Sequence, residues 1–133
     1  MADPAIVAQL ILEHCDLIMV DELPIAMPDV AFDPPANGRY LRVDLFSNQP
    51  FWEGLSSGRM DQGLLQITVV WPKGEGLIQQ LRAASMVMAH FPKGTKLVGP
   101  GVRVVFNREP WAASPILDDS DTLTPITISW TAA

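Results

Sequence analysis

Two histidines and one cysteine are the residues of this chain best suited to chemistry, and their placement argues against it. His14 and Cys15 are adjacent on a segment with helical periodicity. Neighbouring helical side chains diverge by about 100°, so the two cannot form a nucleophile–base dyad by themselves. His90 falls near the end of a second helical segment, where an imidazole can cap carbonyls and meet the negative end of the helix dipole. Structural roles are therefore expected for both histidines.

Asp118-Asp119-Ser120-Asp121 could gather oxygen ligands for a divalent cation. It lacks the alternating ligands and the terminal bidentate glutamate of an EF-hand, so a solvated acidic loop is expected. Gly74-Glu75-Gly76 before a helix suggests a phosphate cradle. No Lys-Ser/Thr pair follows it, and a glutamate stands where the phosphate would approach. It reads as a strand-to-helix turn. No catalytic residue, metal site or cofactor site is expected.

Other residues suit contact rather than catalysis. Lys93, Lys96, Arg103 and Arg108 form the one basic concentration, open to dipole and surface roles or to contact with DNA or an acidic partner. Phe51, Trp52 and Arg59 fall in one long connection, and Trp111, Asp118 and Asp119 in another. Loop aromatics are typical interface anchors, although each could instead fold back to tether its loop.

The elements that would position these residues follow from periodicity. Asp3-Pro4 is an N-cap followed by proline at the first helical position. Ile6, Leu10, His14, Leu17 and Ile18 then predict a first helix over residues 4–20. Residues 21–39, rich in proline and acid, are expected to be extended, with Val30 and Phe32 pinning them down. Tyr40–Phe46 and Leu64–Trp71 read as strands, the second with Leu65, Ile67, Val69 and Trp71 on one face. Residues 47–61 between them, with Pro50, Gly54 and Gly58, read as a long hairpin loop. Leu77, Leu81, Ala84, Met88 and Phe91 predict the buried stripe of a second helix. Strands at Val102–Phe106 and Ile126–Trp130 close the chain, around a long connection over 107–124. The expected fold is α+β in two layers: one mostly antiparallel or mixed four-stranded sheet, with two main helices on one face.

Bulk properties bound the function. The 133 residues, 48% apolar, suit a single domain spanning 1–133 with a core that needs neither metal nor disulfide. A net charge of −6 argues against tight nucleic-acid binding but leaves room for a passive DNA channel. One cysteine fits a reducing compartment, and neither a signal peptide nor a membrane span is read in the chain. A soluble protein made inside the cell is expected. Residues 1–61 hold ten acids and three bases, residues 62–133 five acids and six bases. A head-to-tail ring needs two different complementary faces on each subunit, and this asymmetry would help to orient them.

With these segments placed, the chain resembles the tail terminators of long-tailed bacteriophages and gene transfer agents. The resemblance rests on Phe32-Asp33-Pro34-Pro35 followed by Tyr40-Leu41-Arg42-Val43, on Gly63-Leu64-Leu65-Gln66-Ile67, and on the Pro72-Lys73-Gly74-Glu75-Gly76 turn. Phe91-Pro92-Lys93-Gly94-Thr95 and Pro125-Ile126-Thr127-Ile128 complete it. It implies a structural virion protein without enzymatic activity or cofactor. Its copies would form a homohexameric ring capping the head-proximal end of the tail tube, assembled in the host bacterial cytoplasm. The ring would stop polymerisation of the tube protein and present a surface to the head–tail connector protein. DNA would pass through the lumen without sequence-specific binding, and no membrane is involved. Another head–tail connector or tail completion protein is the alternative, with a small ligand-binding domain behind it.

Overall fold

The computed structural model describes residues 3–20, 23–54 and 58–133, the side chains of residues 50–54 and 58–59 excepted. Two helices pack on a curled mixed sheet. Helix α1 spans Pro4–Asp16 and α2 spans Ile78–Ala89. The strands are β1 (Ile25–Ala26), β2 (Tyr40–Gly54), β3 (Gly58–Pro72), β4 (Lys96–Gly99), β5 (Val102–Phe106), β6 (Trp111–Ala112), β7 (Ile116–Leu117) and β8 (Asp121–Ala132). The sheet runs β1-β2-β3-β8-β5-β4, with β6 and β7 also pairing β8. Among the described residues, only the β1–β2 pair is parallel.

The sheet thus has eight strands where the sequence predicts four. Three of the additional strands are only two residues long and β4 is four, too short for alternation to reveal. The interval 47–61 is not a loop at its flanks, because β2 and β3 continue through it as a paired ladder from Ser47↔Gly63 to Gly54↔Gly58, with irregularities after Asn48 and Trp52. The connection 107–124 likewise folds back along β8, which pairs in turn with β5, β6 and β7 on one edge and with β3 on the other. Pro125 sits inside this central strand. Arg103 and Ala133 exchange both backbone bonds, so by alternation the odd residues of β8 turn their backbone groups to this edge. Pro125 has no N–H to offer there, and the neighbouring strand breaks between Ala112 and Ile116 opposite it. The Ala113 N–H still reaches the Pro125 carbonyl at 2.9 Å.

Alternation divides the two faces. Leu65, Ile67, Val69 and Trp71 are buried together with Ile126, Ile128 and Trp130 of β8, as the two-residue period predicts. Both helices cover this face. Helix α1 lies against β4 and β5, and α2 against β3 and β8.

The helix stripes match expectation in part: Ile18, Ala84 and Phe91 are buried and Ile6, Leu10 and Met88 pack against the core, whereas Leu17, Leu77 and Leu81 are exposed. Helix α1 ends at Asp16, not residue 20, and buries Val7, Ile11 and Cys15 while Leu17 lies exposed. Its start is as predicted, with the Asp3 carboxylate accepting from the Ala5 N–H at 2.9 Å. Helix α2 buries Gln80, Ala83, Ala84 and Val87, leaving Leu77 and Leu81 outside. Gln80 can take a buried position because both ends of its amide are satisfied: its Nε2 donates to the Gly76 carbonyl at 2.9 Å, and its Oε1 accepts from the Thr124 hydroxyl at 3.2 Å. In the segment before β2, Phe32 packs on Tyr40 with ring centroids 5.0 Å apart, whereas Val30 is exposed.

Candidate assembly surfaces

His14 and His90 meet where the two helices end. His14 Nε2 lies 2.9 Å from the His90 carbonyl, and His90 Nε2 lies 2.7 Å from the His14 carbonyl. A carbonyl only accepts, so each ring carries its proton on Nε2. The imidazoles stack at 4.2 Å between centroids, with Phe91 against the edge of both. This reciprocal clasp joins the two helix ends through carbonyls of their last turns, that of His14 also accepting from the Leu17 N–H at 3.2 Å. Burial holds the His14 pKa below its ordinary value, the His90 carbonyl opposes that effect, and the neighbouring imidazole adds to it. Cys15 is buried with its pKa pushed up to about 12, by desolvation first and the Asp16 charge second. A thiol held protonated is a poor nucleophile.

The Gly74-Glu75-Gly76 turn is built as a turn. Gly74 and Gly76 have φ of 91° and 83°, values that a side chain disfavours. Glu75 pairs with Arg39, whose guanidinium lies 4.8 Å above the Trp71 ring centroid. Arg39 and Trp71 line a cleft of about 350 Å³ with Asn37, Gln79 and two prolines. The cation there is already neutralised, and neither a nucleophile nor a histidine lines the cleft. Among the described residues, no three His, Cys, Asp or Glu side chains gather to hold a metal, and no helix is long and apolar enough to cross a membrane.

The predicted contact residues do not converge on one site. Trp111 is 59% exposed on β6 opposite Thr127. Direct partners across a ladder point to one face, which sets Trp111 on the helix-free side of the sheet. The cross-strand pair Phe46 and Leu64 lies exposed on that same side. Sequence reading missed this pair because single apolar residues on a strand carry no signal of which face stays open. Asp118 and Asp119 are exposed in the β7–β8 turn, where the Asp118 N–H donates to the Asp121 carbonyl and the Asp119 N–H to the Asp118 carboxylate. Phe51, Trp52 and Arg59 are paired through their backbones, Phe51 with Met60 and Trp52 with Arg59; their side chains lie outside the described residues. The β3–β8 ladder ends at Asp61↔Ala132, so these three residues belong to a two-stranded arm extending past the third strand.

A mixed α+β scaffold with exposed aromatics, a projecting arm and an inert cysteine defines a protein that acts through its surfaces. The model of the phage tail terminator protein family matches residues 5–130, and the chain belongs to this family. It is a non-enzymatic structural component of the phage tail. A solved structure is similar at 25% identity, with a TM-score of 0.75 and 94% of each chain covered. A search of the curated proteins gives no match.

Proposed function

We propose that the chain, acting as one domain, assembles into a homohexameric ring on the head-proximal end of the tail tube. There it stops addition of tube protein and offers the head–tail connector its docking surface. The arm carries this reading. Two strands alone are marginal in water, and a pair that extends past its sheet gains stability by seating on another molecule. Trp111, Phe46 and Leu64 on the helix-free face add apolar area of the kind that interface cores use. Phe51, Trp52 and Arg59 at the arm, and Trp111, Asp118 and Asp119 along β8, are the proposed contacts to neighbouring copies or to the tube. The net charge of −6 suits a lumen that lets DNA slide without holding it.

Native mass measurement and negative-stain imaging, on the protein alone and with tube, test the proposal. Rings seated on tube ends that no longer elongate are expected. A protein that stays monomeric and leaves tube growth unchanged would overturn it. A protein that binds the connector and not the tube would be a different head–tail joining component.

A further inference from the structure

Among the described residues, no strand pairs β4 on its outer side or β2 beyond β1, and these two edges match. On β2, the Leu41 N–H donates to the carbonyl of Pro24, just before β1, so odd residues of β2 face that edge; β1 stops at Ala26↔Arg42, leaving Leu45 and Ser47 beyond it. On β4, alternation from the Arg103–Ala133 exchange turns Leu97 and Gly99 toward β5. Lys96 and Val98 therefore turn their backbone groups outward. Such edges are templates for a further strand and are normally blunted. Charged Lys96 on β4 and Arg42 on β2 are side chains of the blunting kind, yet each edge also presents an exposed apolar side chain, Phe46 on one and Val98 on the other, the latter 72% exposed.

The charges oppose each other. Asp44 lies on β2, where it pairs with Arg42 at 3.6 Å and would exchange or share that partner with Lys96, and exposed Asp29 and Asp33 lie in the segment that leads from β1 to it. Exposed Lys93 and Lys96 lie at and just before β4, and exposed Arg103 on β5 beside it. Exposed Asp29 and Asp33 thus stand toward one edge, and exposed Lys93, Lys96 and Arg103 toward the other.

From these relations, and resting on the ring reading above, we propose that β4 of one copy adds in parallel to β2 of the next. Asp44, Leu45 and Phe46 would then face Lys96, Leu97 and Val98. Each step has a geometric reason. The ladders between β2, β3, β8, β5 and β4 are all antiparallel, so β2 and β4 run in the same direction within a copy. Rotation about an axis along the strands preserves direction, so the joined edges are parallel. In a parallel ladder an outward-facing residue sits opposite an inward-facing one, as Leu41 does opposite Ile25. Lys96 opposite Asp44 and Leu45 opposite Leu97 obey that rule. Facing residues also share a sheet face: Leu45 and Leu97, both partly buried against the core, would extend it, while Phe46 meets Val98 on the helix-free side. The two edges differ from each other, as a closed head-to-tail ring requires.

The test is a Phe46→Cys, Val98→Cys double variant, oxidised and run without reductant. Cys15 is buried and stays out of the reaction. A ladder of covalent oligomers from the double variant, and none from either single variant, is expected. Independently, Lys96→Asp should raise the concentration for half-assembly about tenfold, the loss of one interfacial ion pair, and adding Asp44→Lys should restore most of it. Assembly by native mass without a ladder, and indifferent to both charge reversals, would overturn this edge pairing while leaving the ring intact. A monomer at every concentration, with and without tube, would overturn the ring and the pairing together.

Discussion

Gly63 lies directly across the β3–β8 ladder from Trp130, and a methyl group there would come within 2.4 Å of the indole and 2.1 Å of the Phe46 carbonyl. Glycine is required at this position by space, not by backbone conformation. The Trp130 ring fills the gap that the missing side chain leaves, and the row continues to Phe46 and Ser47 of β2. Gly63→Ala must push either a backbone carbonyl or a buried tryptophan. A loss of about 3 kcal/mol is expected, at the upper end for overpacking. Urea unfolding checks it, through a lower midpoint with an unchanged slope.

The burial of His14 predicts a pH dependence. Because burial depresses the folded pKa of His14, the unfolded chain binds the proton more readily than the folded one. Stability is then full above the unfolded imidazole pKa, near ~6.5, and falls as pH drops through that value toward the folded one. Unfolding midpoints from pH 8 to pH 5 should decline, and His14→Gln should flatten the lower half of that curve. A wild-type curve level across the interval would contradict a His14 pKa depressed by burial.

Gln80 predicts a coupling between helix and sheet. Thr124→Val leaves the buried Gln80 carbonyl without its 3.2 Å donor, a loss of about 1–3 kcal/mol. Gln80→Leu removes the demand altogether. The double variant should therefore be less destabilised than the two single losses added together, which a double-mutant cycle on urea data measures directly.

These relationships also mark what could be read from sequence. Leu65, Ile67, Val69 and Trp71 were legible because a strand buried on one face writes its period into the chain. The stripe of α1 was ambiguous because Ile6, Val7, Leu10, Ile11 and Leu12 offer apolar residues on several helical faces. His14 takes the partly buried position because His90 waits for it, 76 residues away in sequence. The same holds for Gln80, whose partner Thr124 has no local trace. Pro50, Gly54 and Gly58 read as loop because turn residues usually end strands. Irregularities after Asn48 and Trp52 instead let the ladder absorb them. The strands β6 and β7 exist only because β8 offers an edge. Contact residues were legible as aromatics in connections, but the exposed Phe46 and Leu64 became visible only once the helix-free face was known.

Trp111 and Trp52 separate assembly from folding. Trp111 is 59% exposed, so truncation removes little intramolecular packing. Trp111→Ala should shift the unfolding free energy by no more than about 0.5 kcal/mol. An aromatic at the centre of an interface, by contrast, contributes about 2 kcal/mol or more when truncated, roughly thirtyfold in the concentration for half-assembly. Sedimentation of Trp111→Ala and of Trp52→Ala, alone and with tube, reads both quantities on the same samples. Equal stability with weaker assembly would assign each tryptophan to a contact. Lost stability with unchanged assembly would make it a tether for its own strand, and the helix-free face would then need another anchor, of which Phe46 and Leu64 are the nearest.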